Sequence, residues 1–227
     1  MMQLNADFSR RVVVHAARLP WVASPVAGIE RRMLDRIGDE VARATSIVRY
    51  AAGSQFTAHV HGGGEEFLVL DGVFSDEHGD CPAGTYVRNP PTSQHTPHSG
   101  PGCTILVKLR QFDPADRTEV RLPAGPQDFQ PAPGLSGVSV RPLFADQHEV
   151  VQIERWSAGT TVSQACPKGM ELLVLEGSLE EGGEVFGLHS WLRLPAEASM
   201  QAQAGAQGCM VWIKQGGILP DLSAVDS

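Results

Sequence analysis

Four residues of this chain have side chains suited to holding a metal ion: His59, His61, Glu65 and His95. His59 and His61 are separated by a single residue. Side chains alternate faces in an extended strand, so the two imidazoles project from the same face, about 7 Å apart along the backbone. From there both can reach one ion. Gly62, Gly63 and Gly64 follow, allowing a tight turn that brings back a carboxylate, Glu65 or the adjacent Glu66. Only one of two successive carboxylates in a strand can face the ion. Gly84 and Pro90 lead into a further imidazole, His95, from a distant segment. Three neutral nitrogens and one oxygen suit Zn²⁺, Fe²⁺, Mn²⁺, Co²⁺ or Ni²⁺.

The elements that must position these ligands are short apolar runs punctuated by turn residues. Residues 45–50, 66–70, 86–88 and 104–109 read as strands, with turns at 62–64, 71–72 and 79–84. Only residues 29–44 have a partly helical pattern, broken by Gly38. Many short strands with dense turns, in a chain with 24 Gly and 16 Pro, predict a sandwich or jelly-roll barrel.

The pattern occurs twice. Residues 46–53 read like 152–159, 66–72 like 171–177, 86–90 like 191–195, and 103–108 like 209–214, at an offset of 105 or 106 throughout. A constant offset over four segments marks a tandem repeat. Residues 1–115 are expected to form a first domain, 116–137 a linker rich in proline, and 138–227 a second domain.

At this point the residues resemble the cupin family. Its first motif, Gly, five residues, His-x-His, three or four residues, Glu, six residues, Gly, is met by Gly53, His59, His61, Glu65 and Gly72. Its second motif is met by Gly84, Pro90 and His95, with Thr92 standing for the usual Gly and Ser99 for the usual Asn. The motif register selects Glu65 over Glu66 as the fourth ligand. The resemblance implies an all-β fold of two double-stranded β-helix barrels, a bicupin. Over residues 21–112 the wording is similar to the ChrR-like group, which includes the cupin of zinc-containing ChrR anti-sigma factors and iron dioxygenases that cleave β-diketones. No His-x₃-Cys-x₂-Cys pattern of the anti-sigma domain precedes residue 20, so anti-sigma activity is not carried over.

The second repeat keeps the strands and loses the ligands. Gln164 and Cys166 stand at His59 and His61 (Ala165 and Pro167 if one residue is skipped), Met170 at Glu65 and Met200 at His95. Buried core packing is expected there, a soft metal site being the other reading. Glu171 persists opposite Glu66, which points to a structural role such as holding a turn. Tyr86 and Arg88 share a strand face, to contact substrate or rim the barrel. His78 and Asp80 are expected at the surface, as is His98 unless it serves as a donor or proton shuttle behind the ligands, and Cys81 as an inert thiol unless it lines the barrel mouth.

Composition sets the outer bounds. The chain has 227 residues, 42% hydrophobic and 19% charged, with net charge −8 and no basic run, so nucleic-acid binding is not expected. No signal peptide or membrane span is read, and four cysteines without a Cys-x-x-Cys pair fit reduced thiols in a cytoplasm. The functional expectation is a mononuclear Fe²⁺ dioxygenase acting on a small diketone or hydroxyketone bound in the first barrel. In the relatives that this implies, three histidines hold the iron, and a bound Glu65 argues against close kinship. The alternative is a non-catalytic zinc-binding sensor or regulatory cupin in a stress response. A homodimer formed through edge strands is expected.

Overall fold

The computed structural model describes residues 1–125 and 129–217. The chain divides into two compact units: one is built from Met1–Ala6 with Leu19–Gly125, the other from Asp7–Arg18 with the described residues from Phe129 onward. No α-helix occurs among the described residues, and no helix is long and apolar enough to cross a membrane.

In the first unit the main antiparallel sheet runs Gln3–Leu4, Ile29–Gly38, Ala42–Tyr50, Cys103–Leu109, Glu65–Asp76, Tyr86–Asn89, Val120–Leu122. The opposite wall is made of short pieces. Ser54–Gln55 pairs with His98–Ser99, and His59–Val60 with Gln94–His95. Residues 29–44, whose partly helical pattern Gly38 breaks, form the strand Ile29–Gly38 and the start of Ala42–Tyr50, with a β-bulge between Met33 and Asp35. The β-branched and apolar residues Ile37, Ala44, Ile47 and Val48 fit a pleated sheet once partner strands exist, and that packing overrides local propensity. The interior holds Ile29, Tyr50, Phe67, Val69, Phe74, Val87, Ile105 and Val107.

The second unit repeats this plan. Its sheet runs Gln130–Pro131, Val138–Ala145, Glu149–Trp156, Ala198–Gly216, Met170–Glu181, Ser190–Leu194, Val12–His15. The segment expected as a linker contributes strands at both ends: Val120–Leu122 extends the first sheet and Gln130–Pro131 the second. In the second unit the outer position beside Ser190–Leu194 is filled by Val12–His15, from near the start of the chain. Both units are antiparallel β-structures of the jelly-roll type, so the all-β, tandem-barrel expectation holds.

Glu66 has a structural place, though not at a turn. It sits in one row with Arg88 and Lys108 across three strands, all nearly inaccessible. Tyr86 Oη donates to Glu66 Oε1 at 2.7 Å, and Arg88 Nη2 donates to Asp116 Oδ2 at 2.9 Å. Glu171, Arg193 and Lys214 form the same row in the second unit, where Trp191 Nε1 donates to Glu171. A buried carboxylate is tolerable only when paired and hydrogen-bonded, which explains why the three positions recur together. Tyr86 and Arg88 therefore face Glu66, on the opposite side of the sheet from Glu65, and neither rims the barrel interior.

Gly72 adopts a left-handed backbone (φ +74°), and a Cβ there would lie 2.1 Å from the carbonyl oxygen of Gly102. Gly53 is equally left-handed (φ +75°) but faces open space. Gly53→Ala should cost about 1–2 kcal/mol of stability, the left-handed penalty alone. Gly72→Ala should cost at least about 3 kcal/mol, since clash adds to strain. Denaturant melts of both variants check this, and equal losses would show that the Gly72–Gly102 approach is not tight.

Candidate metal centre

The strand pair His59–Val60 and Gln94–His95 is short, yet it sets the site, because its register puts His95 directly opposite His59. One residue on, the His61 amide donates to Ser93 O, continuing the pairing. The chain then turns at Gly62–Gly64. At Gly64 (φ +79°) a Cβ would fall within 2.4 Å of the Phe112 ring, so the turn needs glycine. It delivers Glu65 at the start of the strand Glu65–Asp76, facing the interior. On the other arm Thr92 takes φ +76°, as glycine readily does, which shows why the family motif has glycine there.

All four expected ligands come together: one donor atom from each of His59, His61, Glu65 and His95 lies within 4.8 Å of the others. His61 Nε2 is 3.2 Å from His95 Nε2, and Glu65 Oε2 is 3.3 Å and 3.4 Å from these two nitrogens. His61, Glu65 and His95 are buried, and His59 is partly exposed.

The outer ring nitrogens fix the tautomers. His59 Nδ1 lies 3.1 Å from the carbonyl oxygen of Thr57, which can only accept, so Nδ1 carries the proton. His61 Nδ1 lies 2.9 Å from Ser93 Oγ. That hydroxyl spends its own proton on Pro90 O at 2.6 Å, so it too accepts from the ring. His95 Nδ1 points at Asp76 Oδ2, 3.5 Å away. In neutral rings all three Nε2 lone pairs are thereby turned toward one point and toward Glu65. Lone pairs 3.2 Å apart beside a carboxylate repel unless a cation lies among them, and this donor set fits a divalent metal ion.

Charge reinforces the arrangement. Burial pushes the His59 pKa below its usual value, favouring the neutral ligand form. Burial also acts on His95, but the nearby carboxylates of Asp76 and Glu65 outweigh it and raise its pKa. For Asp76 burial is again outweighed, by His95, the His78 amide and Arg121, and its pKa drops to about 2. Burial pushes the Glu65 pKa up, but a hydrogen bond from His61 and the charge of the imidazoles around it, where these carry a second proton, bring it below its usual value, and Asn89 Nδ2 donates to its Oε2 at 3.1 Å.

Sequence reading missed the supporting residues Thr57, Asp76, Asn89 and Ser93. Asn89 had a signal, since it lies directly across the ladder from Glu65. It also missed a cavity of about 350 Å³ that opens from the site, walled by Val48, Tyr50, Phe56, Ile105 and Val107. His78, Asp80 and His98 are exposed, as expected. Cys81 is fully buried, and burial raises its thiol pKa, as befits an inert thiol.

In the second unit Gln164 pairs with Met200 in the same register as His59 with His95. This settles the alignment on Gln164 and Cys166 rather than Ala165 and Pro167. Cys166, Met170 and Met200 are all core residues.

Comparison with known proteins agrees with the fold. Residues 9–113 match the model of the ChrR cupin-like domain. No curated protein matches the chain. Among solved structures, one described as a putative dioxygenase from Nostoc punctiforme has a TM-score of 0.71 at 12% identity, over 92% of this chain and 84% of that one. A bacterial pirin from Escherichia coli, in complex with nickel(II), has 0.66 at 12% identity over 91% and 99%. The oxalate decarboxylase of Lactobacillus farciminis, in a formate complex, has 0.60 at 13% identity over 91% and 86%. At these identities the likeness shows the fold.

His59→Ala and His95→Ala should each abolish retention of metal through gel filtration, whereas Gln164→Ala and Met200→Leu should retain it. Full metal content in both histidine variants would remove the site. Chelator competition should also show affinity falling as pH drops. The fall should begin above pH ~6.5, the ordinary histidine value, because His95 holds its proton more strongly and must lose its cationic form to bind.

Proposed function

The first unit is a ChrR-like cupin, by the family match over residues 9–113, and from that premise we propose that the chain is a mononuclear metalloenzyme, an Fe²⁺ dioxygenase acting on a small diketone or hydroxyketone. The observation that carries this reading is the opening of the imidazole cluster onto an apolar cavity of the same unit. A structural ion would need no such chamber.

His59, His61 and His95 would hold the ion through Nε2. When bound, the ion would supply Lewis acidity toward the substrate oxygens and a partner for O₂. The protein's own groups do the rest. Val48, Phe56, Ile105 and Val107 exclude water and bury the carbon skeleton. Tyr50 also lines the chamber; burial and the charge of Glu65 keep its phenol protonated, so it serves as a hydrogen-bond donor. Glu65, ionised and aimed by Asn89, is placed to accept a proton from the carbon between two carbonyls. A cytoplasmic setting with reduced thiols belongs to this reading, as all four cysteines are free and buried.

One observation favours the alternative. Glu65 Oε2 stands at nearly equal distance from two of the imidazole nitrogens, as a fourth ligand would. A closed shell of three His and one Glu suits a zinc-holding sensor.

Metal analysis of untagged protein, then anaerobic Fe²⁺ loading and oxygen-electrode assay with small β-diketones and hydroxyketones, separates the two. About one iron per chain with substrate-dependent O₂ uptake is expected. Firmly held zinc with no uptake would replace the enzyme by the sensor.

A further inference from the structure

Arg121 lies in a segment that composition marks as linker, yet it reaches the site through one intermediary. The strand Val120–Leu122 docks on Tyr86–Asn89 with Arg121 opposite Val87. From there one amine of the guanidinium grips both oxygens of Asp76: Nη2 donates to Oδ1 at 2.8 Å and to Oδ2 at 2.6 Å. Its other amine lies 2.9 Å from Cys81 Sγ, so the side chain is held on two sides. Asp76 Oδ2 in turn faces Nδ1 of His95 at 3.5 Å. That Nδ1 is buried and makes no hydrogen bond as the rings stand, so Asp76, 3.5 Å away, is the acceptor facing it.

We propose that Arg121 is a positioning residue for the metal centre: it clamps Asp76 against His95 Nδ1, and so sets the tautomer and donor strength of a metal ligand it never touches. The inference rests on the metal site and not on any reaction there. The second unit supplies an internal comparison. At the position of Asp76 stands Glu181, held by Arg11, whose Nη2 donates to Glu181 Oε2 at 2.7 Å. With Met200 at the place of His95, no imidazole waits beside that acid. An arginine–carboxylate pair alone therefore serves the sheet; what is particular to the first unit is the ring nitrogen at its far end.

The test uses the full chain with Zn²⁺ and Co²⁺ as probes. Affinity by chelator competition, the visible spectrum of the cobalt form and the melting midpoint of the metal-free protein are compared across variants. Asp76→Asn should lose about 10–100-fold in affinity, as loss of a ligand's hydrogen-bond partner does. Arg121→Gln should lose at least about threefold and move the cobalt bands in the same direction as Asp76→Asn. Arg121→Lys should recover most of both. Arg11→Gln should leave affinity and spectrum unchanged. The proposal is overturned if Arg121→Gln keeps wild-type affinity and cobalt spectrum, or if it lowers only the melting midpoint. It is overturned equally if Asp76→Asn binds as the parent does. Should Asp76→Asn fail to fold, the contrast between the Lys and Gln variants at position 121 decides.

Discussion

The structure of the first barrel turns on a contact that is unfavourable by itself. Three imidazoles with their protons committed outward face their lone pairs inward, two of them 3.2 Å apart, with an ionised carboxylate as the remaining neighbour. Nothing in a protein core rewards that arrangement except a cation at its centre. What holds it together before a cation arrives is the backbone. The His59–His95 pairing, the glycine turn and the left-handed Thr92 leave the rings little choice of direction. The outer partners Thr57, Ser93 and Asp76 then close off the other tautomer.

The ligand quartet and the repeat were legible in the sequence because both depend on local rules. Alternation puts His59 and His61 on one face, and glycines turn the chain; neither needs knowledge of the rest of the fold. Among the outer partners, Asp76 was hidden by a bulge. Leu70 is the extra residue where the register of Glu65–Asp76 against Cys103–Leu109 slips, so the inward set changes from Glu65, Phe67 and Val69 to Phe74 and Asp76. Strict alternation from Glu65 turns Asp76 outward. The partly helical pattern at residues 29–44 has a related origin: a bulge at Leu34 disrupts the period-two pattern there.

The same bulge recurs in the second unit at Leu175, between Val174 and Glu176, so the duplication preserved the irregularity along with the strands. The buried Glu–Arg–Lys row recurs too. Features kept in both copies are those the sheet requires, and that makes the unshared features informative. Gln164, Cys166, Met170 and Met200 replace four converging polar groups, and the cluster of the second unit is apolar where the first is not.

One unshared feature lies in the backbone. In the second unit Ala198–Gly216 is a continuous strand of 19 residues, its Met200, Ala202 and Ala204 turned inward and Gln201 and Gln203 outward. The corresponding stretch of the first unit is cut into Gln94–His95, His98–Ser99 and Cys103–Leu109. Pro97 and Pro101 stand at the cuts, and proline has no amide to donate to a ladder. A continuous ladder ties each inward side chain to its neighbour's spacing; a broken one frees the His95 piece to follow its pairing with His59 alone. Ligand identity and strand continuity thus changed together. Reinstalling histidines at 164, 166 and 200 on an unbroken strand restores the donor types without the freedom that lets them converge.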